Sequence, residues 1–473
     1  MPAGGVLPPS SRPRPVKKIR NDTLHTPTDM IEHGRAERRG PGEVHLVAAE
    51  IMGSSSGGFR QTRWCEYFLE RGCRVIILCQ NGLTRVDVQR VDDVTELRTL
   101  RTGWTRHRPS RTGARTGWLA HLARRAKHLL VADLFYPSVW MMTWRLVRLV
   151  RGSAERAVVL CSSPPFSMAL IGAVVKSIFP SRVVFALDMR DLWSLHSALP
   201  GPRLHKRLLE RWVLRRADVL TAVSVGLAER FESRFGVKAR VIYNVATHVV
   251  DSDLPAPPMS WSVWSRLLRA GSRKLVYTGS VPEGFYDLAT FVDACADFVT
   301  SRPDAIDRLQ LVFVGASGEL QKVATKRLPE GAIVYLPIVS HADVNRIQSA
   351  ADALLFLGYH SSDNQGQVST KLFEYFRRGL PILPVDIKSG SDVDYLIKLY
   401  CGSCPRLISR SDIAHALAQV AEGDMSALPR SLNADADRDL LGAYGRAADD
   451  ILALKDRASP LFDPPIMPRA DAC

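Results

Sequence analysis

The chain has 473 residues, of which 46% are hydrophobic and 23% are charged, which is ordinary for a globular protein with buried cores. This length predicts two or three domains, and the composition argues against a fibrous chain or a disulfide framework, because the eight cysteines are scattered. The formal net charge of +15 indicates an anionic partner: a lipid surface, a nucleic acid or a phosphorylated substrate. No N-terminal signal peptide is visible, so we expect a cytoplasmic protein.

Short apolar runs alternate with helix-length segments along most of the chain. Uninterrupted apolar runs are typical of strands that are buried on both faces, and therefore of parallel sheets covered by helices. The first series of predicted strands is Val44–Ala48, Arg74–Cys79, Ala157–Cys161, Val183–Leu187, Val219–Val223 and Val241–Tyr243. The second series is Leu275–Thr278, Leu309–Val314, Ile333–Leu336, Ala353–Leu357 and Pro381–Val385.

These two series predict an α/β protein with two tandem, doubly wound, Rossmann-like domains and a cleft between them. We expect a disordered basic tail over 1–40, a first domain over 41–250, a linker over 251–270 and a second domain over 271–430. The remainder, 431–473, should hold a helix that packs back across both domains, followed by a tail. Ligands of such sheets bind beyond the carboxyl ends of the strands, so the cleft can hold two substrates.

Two stretches of the first domain are candidates for ligand contact. The first predicted strand leads to a loop that ends in Gly57 and Gly58, with a helix expected from about Phe59. Glycines there let a ligand approach a helix N-terminus, although an ordinary strand-to-helix turn explains them equally. The second stretch is Asp188–Trp193, where acids, an arginine and a tryptophan follow a strand directly; an internal ion pair is the alternative.

The segment 98–127 contains nine arginines or lysines and no acid. Tryptophans 104 and 118 lie within it, and Phe135, Tyr136, Trp140, Met141, Met142 and Trp144 follow. Basic residues mixed with aromatic ones favour an anionic membrane surface, where each cation contributes about 1 kcal/mol. The alternatives are a nucleic-acid patch, or a solvated loop followed by a buried helix.

The most informative stretch lies in the second domain. A polar loop leads to a helix expected to start near Ser369 or Thr370 and to end at Gly379 as a left-handed C-cap. Lys371 and Glu374 are three residues apart and share a face of its first turns. A helix N-terminus with a lysine beside it binds phosphate oxygens, and a nearby carboxylate can accept hydrogen bonds from a ribose diol. The alternative is an ordinary surface ion pair.

Taken in order, these motifs resemble the group 1 (family 4-like) GT-B-fold glycosyltransferases, which are nucleotide-sugar dependent and mostly retaining. The matching residues are Gly57–Gly58, Glu70–Val75, Ser162–Pro165, Arg190–Trp193, Glu210, Arg215–Asp218, Thr221–Ser224, Tyr277–Ser280, Ser369–Tyr375 and Gly379–Pro381. Each match is weak alone, but the ordered series is specific and covers nearly all of the predicted folded chain. The Ser–Ser–Pro–Pro and Arg–Asp–Leu–Trp motifs are similar to the branch that builds bacterial surface polysaccharides.

The resemblance implies roles for individual residues. Glu374 would bind the ribose of the donor, while Lys371 and the amides of Val368, Ser369 and Thr370 would hold its diphosphate. The residues that would complete the site are Gly57, Gly58 and Gly279 on the donor side, and Arg190 and Asp191 near the acceptor. A lysine and preorganised donors stabilise the leaving diphosphate without a cofactor or a required metal ion, and we discount Asp392–Asp394 as a metal motif.

The chain departs from the family pattern at several positions. Gly366 stands where the family often has a second glutamate, eight residues before Glu374. The loop after Gly279 lacks the usual basic residue, Asn244 is followed by Val245 rather than glycine, and no catalytic-loop histidine is evident; the nearby histidines are His196 and His205.

We therefore expect a cytoplasmic, metal-independent enzyme, free or peripheral on the inner face of the plasma membrane. It would move a sugar from a nucleotide-sugar donor to a glycan or lipid-linked glycan, with no nucleic-acid partner. The rivals are a catalytically weak scaffold subunit and a nucleotide-sugar epimerase on the same fold.

Overall fold

Parallel pairing joins the strands of both sheets in a computed structural model of the chain. The structure describes residues 42–48, 56–79, 98–100, 136–194, 203–245, 267–282, 284–315, 318–329, 331–360, 366–431, 433 and 435–457. Several predicted segments lie outside these ranges: the two tails, most of the basic segment 98–127, the linker up to residue 266, and His196.

The first sheet has the order β3–β2–β1–β4–β5–β6–β7. Its strands are β1 Glu43–Ala48, β2 Arg74–Cys79, β3 Arg98–Leu100, β4 Ala157–Ser163, β5 Val183–Met189, β6 Val219–Ala222 and β7 Arg240–Val241. Alternate residues of β4 face opposite layers: Val159 and Cys161 join one core cluster, and Val158 and Leu160 join another. The order of the strands along the sheet reverses between β1 and β4, which is where a doubly wound sheet forms its ligand crevice.

The second sheet has the order β10–β9–β8–β11–β12 and the same doubly wound plan. Its strands are β8 Arg273–Thr278, β9 Leu309–Val314, β10 Ile333–Leu336, β11 Ala353–Leu357 and β12 Ile382–Val385. The reversal here falls between β8 and β11, so residues that follow these two strands border the crevice.

Helices connect the strands and cover the sheet faces. The described helices are α1 Ser56–Glu70, α2 Tyr136–Gly152, α3 Phe166–Ile178, α4 Arg203–Leu214, α5 Val225–Phe235, α6 Leu288–Ser301, α7 Ala305–Arg308, α8 Gly318–Ala324, α9 His341–Ser349, α10 Thr370–Arg378, α11 Asp392–Cys401, α12 Arg410–Glu422 and α13 Asp435–Asp456. None of these helices combines the length and the apolar content that a membrane span requires.

Three local predictions were wrong in detail. Helix α1 begins at Ser56 rather than near Phe59, so Gly57 and Gly58 lie in its first turn and not in the preceding loop. The strand β3 was not predicted, since three residues in a basic segment carry too little apolar pattern. The last strand of the first sheet ends at Val241, earlier than expected.

Helix α13 spans both halves of the molecule. Ala436 and Leu440, near its start, are buried in a core cluster of the second sheet. Tyr444 and Ile451, further along, are buried in a cluster with β1, β2 and α1 of the first sheet. The helix therefore ties the two sheets together on one side of the cleft.

Candidate functional site

Helix α10 carries the central residues of the candidate site. Its apolar face buries Leu372, Phe373, Tyr375 and Phe376, which leaves Lys371 and Glu374 on the other face. Ser369 is its N-cap, and Gly379 ends it in the left-handed conformation with φ 59°. The ends of this helix were therefore predicted from local signals.

Lys371 points towards the end of β8. Its Nζ donates a 2.6 Å hydrogen bond to Tyr277 Oη and lies 4.2 Å from the centre of that ring. A Cβ built on Gly279 would be 3.2 Å from Nζ, so this glycine (φ +116°) leaves room beside the ammonium group. Burial lowers the pKa of Lys371 to about 7, although the Glu374 carboxylate acts in the opposite direction.

Phenol groups surround this ammonium. Hydrogen bonds join Tyr277 to Tyr286 and Tyr286 to Tyr359, and the Tyr359 side chain also bonds to Ser369. The rings of Tyr286 and Tyr359 are stacked, with centroids 5.5 Å apart. Burial raises the pKa of all three tyrosines, so they stay neutral hydroxyl groups. The Tyr277 hydroxyl donates its proton to the Ser280 carbonyl oxygen at 2.9 Å. Sequence reasoning missed these three residues.

Glu374 lies beside a buried polar network. Gln348 Nε2 is 3.4 Å from Glu374 Oε2 and donates to Thr278 Oγ1 at 3.0 Å. Thr278 in turn contacts Tyr375, whose Oη accepts the Thr278 backbone N–H at 3.0 Å. Glu374 is half-buried.

The residues before α10 were expected to supply backbone amides. Ser369 and Thr370 are half-buried at its start, where the first N–H groups of a helix lack intrahelical partners. The Val368 side chain is buried in the core of the second sheet, so only its backbone can reach a ligand.

Gly366 brings the two halves into backbone contact. Its φ is +90°, and a Cβ built there would lie 2.8 Å from both the Gly226 carbonyl carbon and the Leu227 nitrogen. Its carbonyl oxygen also accepts a hydrogen bond from Ser224 Oγ, the N-cap of α5. A glutamate at this position would collide with main chain.

Arg190 and Asp191 follow β5 and face this region from the first domain. The Glu210 carboxylate holds their loop by accepting the backbone N–H groups of Trp193 at 2.8 Å and Ser194 at 3.0 Å. Gln367 Nε2 donates to Asp191 Oδ1 at 3.1 Å, so Asp191 meets the loop that leads into α10. The Asp191 charge also contributes to the raised pKa of Tyr359.

The Arg190 guanidinium makes few hydrogen bonds to the described part of the chain. Its Nη2 donates to the Pro164 carbonyl oxygen, and its Nε has no hydrogen-bond partner. Burial lowers its pKa, although Asp191 and Asp188 both act to raise it. A desolvated cation with spare donors suits an anionic ligand.

The acid at the start of the Asp188–Trp193 motif has a structural role. Asp188 is fully buried and receives two hydrogen bonds from Arg60, Nε to Oδ2 at 2.8 Å and Nη2 to Oδ1 at 2.6 Å. Arg60 Nη1 also donates to Ile242 O at 2.7 Å and to Tyr444 Oη at 2.9 Å. The internal ion pair considered from the sequence is therefore real, but its arginine comes from α1.

Asp392 and Asp394 are occupied by protein groups. Asp392 accepts from the backbone N–H groups of Val225 at 2.7 Å and Gly226 at 2.9 Å, and from Tyr243 Oη at 2.6 Å. Asp394 accepts from Gly390 N and from Lys398 Nζ, both at 2.8 Å. These carboxylates join helices and cap them, which accounts for the Asp–Val–Asp sequence.

The structure describes only some of the remaining predicted residues. Gly57 and Gly58 lie at the N-terminus of α1, and Arg60 is two residues after Gly58. Beyond the basic segment, the tryptophans on α2 are exposed: Trp140 by 65% and Trp144 by 55%. The Arg148 guanidinium carbon lies 4.6 Å from the centre of the Trp144 ring.

Comparison with known proteins identifies the fold. No protein-family model matches the chain, and no curated protein matches its sequence. Among solved structures, α,α-trehalose 6-phosphate synthase from Burkholderia multivorans is 11% identical with a TM-score of 0.54, over 88% of this chain and 97% of that one. Sucrose-phosphate synthase from Thermosynechococcus elongatus is 12% identical with a TM-score of 0.54, over 88% and 100%.

A third similar structure is Anabaena HepE, solved with UDP and glucose. It is 12% identical, with a TM-score of 0.50, over 88% of this chain and 97% of that one. At such low identities, the similarity establishes the architecture alone. The chain therefore has the predicted GT-B fold, with two Rossmann-like sheets.

Proposed function

We propose that this protein is a glycosyltransferase that moves a sugar from a nucleotide-sugar donor to a glycan acceptor in surface polysaccharide biosynthesis. The observation that carries the proposal is the cluster around Lys371, where an ammonium group, the adjacent Gly279 backbone and the Glu374 carboxylate lie near the carboxyl end of β8. Such a cluster suits a nucleoside diphosphate: the cation faces the phosphates and the carboxylate accepts hydrogen bonds from the ribose.

The chemistry follows from the charge that develops on the leaving group. When the bond from the anomeric carbon to the diphosphate breaks, negative charge grows on the phosphate oxygens. Lys371 and the amides of Ser369 and Thr370 would stabilise that charge, and loss of one such preorganised donor costs about 10²–10³ in rate. The Tyr286 hydroxyl would supply a neutral donor where the related family has a further basic residue. Retention of configuration is the family's usual outcome.

The acceptor would bind on the first-domain side of the cleft, beside Arg190 and Asp191. A lipid-linked acceptor agrees with the exposed Trp140 and Trp144 and with Arg148 over the second ring. Under this proposal the protein works in the cytoplasm, either free or bound at the inner face of the plasma membrane, and has no nucleic-acid partner. A nucleotide sugar is its co-substrate, and neither a cofactor nor a metal ion is required.

Donor binding is tested with a thermal-shift panel of UDP-, GDP- and ADP-sugars on the wild type, Glu374→Ala and, as a control, the exposed Glu232→Ala. A ligand at about one hundred times its Kd stabilises by roughly 2.7 kcal/mol, which moves the midpoint by several degrees. We expect one nucleotide class to shift the wild type and Glu232→Ala but not Glu374→Ala. No shift with any donor contradicts the proposal.

The membrane part needs its own test. Anionic vesicles at low salt should sediment the wild type, while neutral vesicles should not. The variant with alanine at Arg106, Arg108, Arg111 and Arg115, and separately Trp140→Ser with Trp144→Ser, should reduce sedimentation. Binding that is equal for all three proteins argues against a membrane role.

A second candidate is a catalytically weak scaffold subunit. Gly366 favours it, because backbone contact with Gly226 occupies the place where the related family has a sugar-binding carboxylate. Nucleotide binding without turnover of any donor would support this alternative. An epimerase on the same fold would instead interconvert free nucleotide sugars without an acceptor.

A further inference from the structure

Gln348 is fully buried near the end of α9 and links two other elements, β8 and α10. Its Nε2 donates to Thr278 Oγ1 at 3.0 Å, at the end of β8, and lies 3.4 Å from Glu374 Oε2 on α10. Its Oε1 accepts from Arg378 Nε at 3.3 Å, one turn further along α10. The two N–H groups and the carbonyl oxygen of the amide therefore all have partners.

These partners fix the orientation of the amide. With the two ends exchanged, Oε1 would face the Glu374 carboxylate and Nε2 would face the Arg378 guanidinium. Both contacts would then join like partners, two acceptors in one case and two donors in the other. A buried polar group in such a position is costly, so the observed orientation is strongly preferred.

Thr278 gives the network a rigid base. Its backbone N–H donates to Tyr375 Oη at 3.0 Å, and its Oγ1 lies 3.2 Å from the same oxygen. Tyr375 belongs to the buried face of α10 and is one residue from Glu374. Gln348 thus connects the Glu374 carboxylate to the strand end that leads into Gly279.

We propose that Gln348 is a positioning residue of the nucleotide site: its amide holds Glu374 in the geometry that distinguishes ribose from 2′-deoxyribose. The inference rests on the proposed function, in which Glu374 accepts hydrogen bonds from the ribose diol. A carboxylate already ordered by Gln348 loses less side-chain freedom when the ligand binds, and a freely rotating one loses more. Gln348 does not touch the ligand and acts through Glu374.

The experiment measures the Kd of the nucleoside diphosphate that binds the wild type, and of its 2′-deoxy form, by calorimetry. Four proteins are compared: the wild type, Gln348→Met, Glu374→Ala and the double variant. Methionine keeps the length of glutamine but removes both polar groups. We expect Gln348→Met to reduce the preference for ribose by about three- to tenfold, and to weaken the 2′-deoxy form, which keeps only the 3′-hydroxyl of the diol, by less.

The double variant shows whether Gln348 acts by positioning Glu374 or only by packing in the core. If Gln348 acts through Glu374, Gln348→Met has no further effect on the preference once Glu374 is alanine. Equal weakening of both nucleotides, or an effect that persists in the Glu374→Ala background, overturns the inference. Should Gln348→Met fail to fold, Arg378→Met removes the donor to Oε1 and is expected to reduce the ribose preference in part; an unchanged preference overturns the inference there.

The outcomes for the wild type keep the two proposals apart. If it binds none of the UDP, GDP and ADP forms, the proposed function fails and the inference fails with it. If it binds one and prefers ribose, but Gln348→Met keeps the full preference, only the inference fails. Binding without a ribose preference removes the role given to Glu374, and therefore the role of Gln348.

Discussion

Lys371 Nζ donates a 2.6 Å hydrogen bond to Tyr277 Oη and lies over the face of the same ring, 4.2 Å from its centre. An ammonium group held between a phenol oxygen and an aromatic face has exchanged its hydration for weaker partners, and burial lowers its pKa to about 7. A diphosphate bound beside it would replace the missing counter-charge.

Donor affinity should depend on pH. The free protein holds Lys371 with a pKa of about 7, and a bound diphosphate raises that pKa because it favours the charged form. Affinity for a nucleotide sugar is therefore full below about pH 7 and falls by about tenfold per unit above it. Calorimetry in buffers of different ionisation enthalpy should show proton uptake above neutral pH. Lys371→Met should give weak, pH-independent binding with no uptake; pH-independent binding by the wild type contradicts the prediction.

The stability of Lys371→Met relative to the wild type should also depend on pH, and the difference should be largest at neutral and lower pH. The folded pKa lies below the ordinary value of 10.5, so the charged form disfavours folding. This cost is fully present below about pH 7, declines as pH rises and is absent above about pH 10.5. Urea unfolding should show the variant more stable than the wild type at neutral pH, with a difference that disappears in alkali. A variant that is less stable at neutral pH would show that Lys371 supports the fold.

Replacement of Gly366 should destabilise the fold in two ways, through strain at its left-handed backbone conformation and through a steric clash with Gly226. A control glycine separates the two contributions. Gly366→Ala places a Cβ 2.8 Å from Gly226 main chain, in addition to the left-handed φ of +90°. Gly271→Ala is the matched control, since its φ is +81° and nothing lies within 4 Å. We expect about 1–2 kcal/mol of destabilisation for the control and about 1–3 kcal/mol more for Gly366→Ala. The measurement is urea unfolding; equal losses would show that the contact with Gly226 is easily relieved.

Asp392 should hold the two halves together. Asp392→Ala removes the acceptor for the Val225 and Gly226 N–H groups, at a cost of about 1–3 kcal/mol. Hydrogen exchange should accelerate at the start of α5. Asp394→Ala is the control, because that carboxylate bonds within the second half, to Gly390 and Lys398. Exchange in α5 that responds equally to both variants would contradict a link specific to Asp392.

Two buried arginines of the first half should behave differently. Arg60→Met breaks the bidentate pair with Asp188 and the bonds to Ile242 and Tyr444, so we expect a loss of about 3–5 kcal/mol. Arg190→Met removes one bond to a carbonyl oxygen and should leave the unfolding midpoint nearly unchanged.

The activity of Arg190→Met completes that comparison. With the wild-type midpoint retained, its turnover of a nucleotide sugar should fall by about 10²-fold, because a cation in the cleft has been removed. Retained turnover in this variant would take Arg190 out of the site. A strong loss of stability would instead make it a structural residue like Arg60.

Much of the fold follows from local sequence. The apolar strands, such as Arg74–Cys79 and Leu309–Val314, have the predicted bounds, because a run buried on both faces needs no partner to be recognised. The ends of α10 were also predicted from local sequence, because the caps Ser369 and Gly379 act on residues next to them in the chain. The start of α1 was wrong by about one turn, where glycines allow helix and loop equally.

The two parallel sheets, their order along the chain and the Lys371–Glu374 pair on one helix face thus follow from local sequence patterns. The partners of the site residues follow from long-range packing instead: Gly366 against Gly226, Gln348 beside Glu374, and Asp188 with Arg60. Strands and caps depend on side chains a few positions apart, whereas these contacts join residues separated by 140, 26 and 128 positions and exist only once the sheets, the cleft and α13 have packed.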